Sequence, residues 1–133
     1  MLRRHRDGLL VGGLIAVVAA SGLTAYLMSR HKAAKVAVAM TGGDPARAPE
    51  LVRRYGCAGC HQIAGIAGAD GQVGGPLEGL RKRVYVGGVV PNTPDNLIKW
   101  IVLPQQFSPR SAMPATGISE AEARDVAAYL YAN

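Results

Sequence analysis

The sequence predicts an all-α protein, with one N-terminal transmembrane helix ahead of a single small helical domain. Three observations lead there. An uncharged apolar run of 22 residues fills positions 8–29. Three later stretches carry helix start signals and helical spacing of apolar residues, and strand-like alternation is absent beyond a short pairing near residues 85–90. The roughly 100 residues outside the run suffice for one small domain, which excludes a large multidomain enzyme.

At about 1.5 Å per residue, the run makes a helix of roughly 33 Å, enough to cross a hydrocarbon core of about 30 Å. Arg3, Arg4 and Arg6 precede it, and Arg30, Lys32 and Lys35 follow it. The formal net charge of +6 is therefore a property of the flanks: residues 1–49 carry +5 and residues 50–133 only +1. That pattern fits a span meeting membrane lipid and gives no nucleic-acid footprint. A cleaved signal peptide is the competing reading, because Ala37-Val38-Ala39 has the A-x-A form. The run exceeds the about 7 to 15 residues of a signal h-region, and three basic residues separate it from that tripeptide, so an uncleaved anchor is favoured. Both flanks are basic, so Lys/Arg counts leave the topology open. Gly8, Gly12, Ala16, Ala19 and Ala20 share one helix face that permits close approach of another helix; the frequency of Gly and Ala in membrane helices explains them equally well. Residues 1–30 are thus assigned to the basic N-terminus and anchor, 31–43 to a linker and 44–133 to the domain. The linker either continues the helix until Thr41-Gly42-Gly43 ends it, or forms a flexible leash on the order of 20 Å.

The domain is poor in core-forming bulk. Thirteen of the 17 glycines and all eight prolines fall after Thr41, with one Phe and one Trp. So small and loop-rich a unit has difficulty burying enough surface alone, and a bulky apolar group at its centre is expected. Cys57-Ala58-Gly59-Cys60-His61 supplies the means to hold one. Two thiols separated by two residues reach the two vinyl groups on one edge of a porphyrin and form thioethers, and the adjacent His sits beneath the iron: this is the haem c attachment pattern. A zinc site would need four ligands where the domain has two Cys and one His. A thioredoxin-like pair would need a βαβ context, and a disulfide over so short a loop would stabilise little. The attachment chemistry belongs to an oxidising, extracytoplasmic compartment, which puts Met1 inside and the domain outside.

The helices follow in order. The first runs over about residues 45–55, with Asp44 as N-cap, Pro45 at its first position and Leu51, Val52 and Tyr55 as its apolar face. Pro49 interrupts the ladder early. Gly56 ends it just before the cysteines. The second lies between its cap Thr93 and Pro104, burying Leu97, Ile98, Ile101 and Val102. The last starts at Ser119 with Glu122 completing a capping box, and carries Val126, Ala127, Tyr129 and Leu130 across the first.

The ring and the iron need further partners. Residues 62–80 form a long loop with six glycines, suited to wrapping a rigid porphyrin edge. At its end, Gly75-Pro76-Leu77 offers the Pro76 carbonyl as acceptor for the second ring nitrogen of His61. Arg81, Lys82, Arg83, Tyr85 and the indole N–H of Trp100 are candidates for the two propionates, with an ordinary solvated basic cluster as the alternative. For the sixth iron ligand, His5 and His31 lie outside the domain, Met1 and Met28 belong to the anchor and Met40 to the linker. Met113, in Ser111-Ala112-Met113-Pro114, remains. A buried core Met, or ligation by Lys82 or Lys99, are the other readings.

With these residues in place, residues 44–133 resemble a class I c-type cytochrome throughout, through Cys57-Ala58-Gly59-Cys60-His61, Gly75-Pro76-Leu77 and Met113-Pro114. The resemblance implies a single-haem cytochrome c fold and a six-coordinate haem held by Cys57, Cys60, His61, Pro76 and Met113, with propionate roles for Arg83, Tyr85 and Trp100. Pro49 departs from the family's first helix. In more detail the chain is similar to small membrane-anchored bacterial cytochromes accompanying quinol or cytochrome oxidase complexes. The function this implies is one-electron transfer in a respiratory chain, from the periplasmic face of the bacterial inner membrane. The partners are a haem-copper oxidase or a quinol-oxidising complex. A cytochrome subunit of a periplasmic dehydrogenase is the alternative, as is a peroxidase or sensor with a labile sixth ligand. Apart from Gln62, the surface near the haem edge is expected to be small and apolar, from Ala58, Ile63, Ala64, Ile66, Ala67, Ala112, Pro114 and Ala115. It lacks the Lys ring of a freely diffusing shuttle.

Overall fold

The computed structural model describes the backbone of residues 2–133 and the side chains from Val11 onward. The basic flank of Arg3, Arg4 and Arg6, together with His5 and Gly8, lies outside the described side chains. Two compact units are present, Met1–Lys32 and Ala33–Asn133.

Helix α1 runs over Leu2–Thr41. Its stretch Val11–Thr41 has a mean hydropathy of 1.9 over its most apolar window and exposes Leu14, Ile15, Val17, Val18, Leu23 and Leu27, so it is a candidate membrane span by length and composition. Ser21 and Thr24 return their hydroxyls to the carbonyls of Val17 and Ala20, leaving no polar group of theirs unpaired on this surface. The stretch expected to link the two parts is helical as far as Thr41, and from Ala33 it belongs to the second unit. Within that unit Ala37 and Thr41 are buried. The Thr41 hydroxyl donates to the Ala37 carbonyl, and Arg124 donates from Nη1 to the Thr41 carbonyl at 3.2 Å, satisfying a helix end that Gly42 terminates.

The first domain helix is in two pieces. Asp44 caps a 3-10 turn, Pro45–Arg47, by accepting from the Ala46 N–H, and α2 follows over Ala48–Arg54. Pro49 lies in the first turn of α2, where a missing N–H costs nothing, so the proline that interrupts one helix starts the next. Gly56 at φ 71° ends α2 in the left-handed region, which a residue with a Cβ enters only with strain. Strands β1 (Tyr85–Val86) and β2 (Val90–Pro91) form a two-residue antiparallel hairpin with Tyr85 opposite Pro91. Helix α3 spans Pro94–Val102, its N-cap Thr93 accepting from the Asn96 N–H. Helix α4 spans Glu120–Ala132 behind the Ser119–Glu122 capping box.

Helix α4 is the centre of the domain and packs on α3, on α2 and on the 3-10 turn before it. Leu51 and Val52 of α2, Leu97, Ile98 and Ile101 of α3, and Ala123, Val126, Ala127 and Leu130 of α4 form its core. Val102, expected inside, is half-buried. Tyr131 is fully enclosed, with its hydroxyl donating to Asn92 Oδ1 at 2.7 Å, and burial pushes its pKa up to about 12. Asp125 ties the chain entry to α4: its Oδ1 accepts from the Asp44 N–H at 2.7 Å and its Oδ2 meets Arg47 at 2.8 Å.

Glu122 does more than complete a capping box. Its carboxylate also accepts from the Tyr55 hydroxyl at 2.9 Å and pairs with Arg54 at 3.2 Å, joining the start of α4 to the end of α2. The Ser119 hydroxyl first, then Tyr55 and the Ser119 N–H, hold its pKa down to about 2. A depressed carboxylate pKa contributes stability above its ordinary value of 4.5, and that contribution is lost as pH falls from there to about 2. Denaturant melts between pH 5 and pH 2 are expected to lose stability steeply in the parent and less steeply in Glu122→Gln. Ser119→Ala removes the cap itself and is expected to cost about 1 kcal/mol, or about 4–8 °C in Tm for a domain of this size.

Candidate haem-binding site

The Cys57–Gly59 segment is one 3-10 turn, extended by hydrogen bonds from the Cys60 and His61 amides to the Cys57 carbonyl at 3.2 and 2.9 Å. The winding puts the two cysteines on one side of a turn and delivers His61 directly after it. Both cysteines are free and half-buried, and burial pushes the Cys57 thiol above its ordinary pKa, with Cys60 adding to the rise. The glycine-rich loop then laces back onto the turn. Gly71 N–H donates to the Ala58 carbonyl, Gly74 N–H to the Cys60 carbonyl at 2.8 Å, and Leu77 N–H to the Gln62 carbonyl. A β-bridge between Gln62 and Asp70 closes the base of the loop.

This lacing fixes the His61 ring. Nδ1 lies 2.8 Å from the Gly75 carbonyl oxygen. A carbonyl only accepts, so Nδ1 carries the proton and Nε2 keeps a lone pair free to coordinate a metal. The expected acceptor was the carbonyl of Pro76; the structure gives that role to the residue before it. The Pro76 carbonyl instead accepts from Arg83 Nη2, which also reaches the Glu78 carbonyl at 3.2 Å. Adjacent carbonyls in an extended segment point to opposite sides, so one faces the ring and the other faces Arg83. Gly74 lies against the Cε1 and Nδ1 edge of the imidazole, and a Cβ there would overlap the ring.

Above His61 opens an apolar cleft of about 400 Å³. Cys57, His61 and Met113 line it together with Arg83, Tyr85 and Trp100, so six of the eight expected site residues share one cavity. Cys60 adjoins it through a smaller recess of about 100 Å³ that also touches His61 and Met113. Pro76 lines neither space and faces a separate shallow groove with Asp70 and Glu78. Of the other propionate candidates, Arg81 and Lys82 are exposed and outside the cleft lining, as is Lys99, so Lys82 and Lys99 are not placed as rivals to Met113. The walls come from the loop and from two of the domain helices: Leu77 and Leu80 from the loop, Leu97 and Ile101 from α3, Val126 and Leu130 from α4. Sequence reasoning placed Leu97, Ile101, Val126 and Leu130 in a protein core without showing that this core is hollow on one side. It missed Gly75 as the His61 acceptor, since nothing in the sequence separates two neighbouring carbonyls.

The cavity fits a haem on its donor chemistry: an imidazole with its coordinating nitrogen free, a thioether, two unpaired thiols beside the ring space, and apolar walls. A family model described as Cytochrome c matches residues 45–132. The chain belongs to the cytochrome c family. No curated protein and no solved structure gives a match. As a cytochrome c this protein is a haem-based electron carrier, and its haem c is bound covalently, with Cys57 and Cys60 as the cysteine pair.

The surface of this cytochrome near the cleft differs in part from the expectation. Ile63 and Ile66 are buried, because the loop folds them under itself, and Ala58 is half-buried. Ala64, Ala67, Ala112, Pro114 and Ala115 are exposed as expected. Val73, 82% exposed beside the recess, adds an apolar residue that the sequence did not single out.

Proposed function

We propose that this cytochrome is a membrane-anchored one-electron carrier of a bacterial respiratory chain. Its domain lies on the periplasmic side of the inner membrane, and it exchanges electrons with a haem-copper oxidase or a quinol-oxidising complex. The observation that carries the carrier reading is the apolar cleft that His61 and Met113 both border. When bound, haem c supplies an iron that alternates between Fe(III) and Fe(II). His61 would hold the iron through Nε2 and Met113 through its sulfur, and with both engaged the iron would take no substrate. The Gly75 carbonyl orients His61 and raises its basicity. The apolar walls exclude water and lower the local dielectric, which disfavours the more highly charged oxidised state and, with His/Met ligation, supports a high potential. Arg83, Tyr85 and Trp100 border the same space and would be the residues to meet the propionates.

Anchoring rests on the apolar length of α1 and on Arg30, Lys32 and Lys35 beyond its apolar run. Membranes solubilised in gentle detergent, run on a native gel and stained for haem and oxidase activity, are expected to show this chain in a large oxidase or quinol-oxidising assembly. Recovery of the haem protein in the soluble fraction would overturn the anchor. A haem band migrating alone near the mass of the chain would favour a tethered shuttle over a fixed subunit.

A further inference from the structure

The segment that carries Met113 has no ladder of its own. Residues 112–118 belong to no helix or strand, and among the described residues none of them exchanges a backbone-to-backbone hydrogen bond. What holds Met113 in place is side chains. Its carbonyl accepts from Gln105 Nε2 at 2.7 Å, and its N–H donates to Ser111 Oγ at 3.3 Å. The first bond is short and comes from a rigid base. Gln105 sits in the 3-10 turn Pro104–Gln106, directly after α3, and Pro104 is fully buried. Phe107, next along, stacks on Trp100 of α3 with ring centroids 6.2 Å apart. The turn that follows the cleft-walling helix α3 therefore holds the Met113 backbone.

The Gln105 amide is committed to this contact. Its Oε1 is buried without a hydrogen-bond partner. Turning the amide over would not relieve that atom, because it would set two carbonyl oxygens face to face at Met113. A buried acceptor left unpaired is costly, so the orientation is set by what the donor end does. We propose that Gln105 is the positioning residue for Met113: its amide clamps the Met113 carbonyl, and thereby fixes where the thioether sits and how firmly it resists displacement from the iron. The proposal rests on the reading of Met113 as sixth ligand.

The test is competition for the iron by an external ligand. Imidazole is titrated into the ferric full-length holoprotein while the near-infrared sulfur-to-iron band is followed. Gln105→Leu, without a donor, is expected to raise the imidazole affinity about tenfold, or about 1.4 kcal/mol. Gln105→Glu keeps the shape but sets a carboxylate against the Met113 carbonyl, and is expected to raise it at least as much. Should Gln105→Leu fail to accumulate holoprotein, Gln105→Asn, one methylene too short to reach, carries the same expectation. Thr93→Ala removes the cap at the start of α3, outside this loop and outside the cleft lining, and is expected to lower stability while leaving the affinity unchanged, which separates positioning from general loosening. If the Gln105 variants stay within twofold of a parent that shows the band, the clamp is overturned and the Met113 assignment stands. If the parent lacks the band, or the band survives Met113→Ala, the assignment falls and the clamp with it.

Discussion

Met113→Ala is expected to abolish the near-infrared sulfur-to-iron band and to lower the reduction potential by at least about 120 mV. The domain offers no replacement thioether: Met113 is its one methionine beyond helix α1, and Lys82 and Lys99 lie off the cleft lining. With alanine the place of the Met113 sulfur on the iron would fall to water, a harder ligand that favours the oxidised state. Axial ligation spans about 0.8 V across haem proteins. At about 59 mV per decade for a one-electron couple, a 120 mV fall changes the equilibrium with a partner about 100-fold, enough to remove the protein from a high-potential chain. The variant is also expected to bind carbon monoxide in its ferrous form, which the parent resists. A redox titration and a near-infrared spectrum check both points, and an unchanged potential would overturn the assignment.

Gly74→Ala and Gly59→Ala should behave oppositely although both residues lie in the haem-binding segment. A Cβ at Gly74 would overlap the His61 imidazole, whose ring cannot retreat without breaking the 2.8 Å bond to the Gly75 carbonyl. The backbone cannot retreat either, because the Gly74 N–H is bonded to the Cys60 carbonyl at 2.8 Å. A Cβ at Gly59 meets nothing within 4 Å, and Gly59 lies outside the cleft lining. Overpacking of this kind costs about 1–3 kcal/mol, and here the strain falls on the proximal ligand. Gly74→Ala is expected to lower the yield of haem-stained protein per unit of total protein severalfold, together with Tm; Gly59→Ala is expected to match the parent in both. Equal yields from the two variants would show that the loop yields more readily than its hydrogen bonds imply.

The distribution of charge and apolar exposure bears on how such a carrier meets its partners. The domain surface beside the recess is apolar, with Val73, Ala112 and Pro114 exposed near Met113. A partner approaching there gains little from long-range steering and depends on being close already. The proposed membrane anchor would meet that need, since holding both proteins at one membrane raises their effective concentration for each other.

Much of this protein could be read from local chemistry. The caps at Asp44, Thr93 and Ser119 act over three residues, and each opens the helical turn the sequence announced. The short pairing near residues 85–90 is the hairpin of β1 and β2. The haem-attachment pattern is likewise local, because two cysteines and a histidine within five positions meet the requirements of one covalent group. Contacts over long separations were decided elsewhere. Whether Gly75 or Pro76 faces His61 depends on how a 19-residue loop returns to its start. Whether Ile63 and Ile66 are surface or core depends on the same return. Gln105 reaches Met113 only because the chain turns back after α3, and no spacing in the sequence distinguishes that glutamine from Gln106 beside it. The segment from Ala33 to Thr41 joins the domain because Arg124, more than 80 positions later, takes up the end of its helix. The sequence by itself determined the elements, the attached group and the apolar span, since those follow from nearest neighbours and periodicity. Only the tertiary structure decided which carbonyl, which amide and which wall meet the haem space, because those contacts exist only after loops close and each buried polar group finds, or fails to find, a partner.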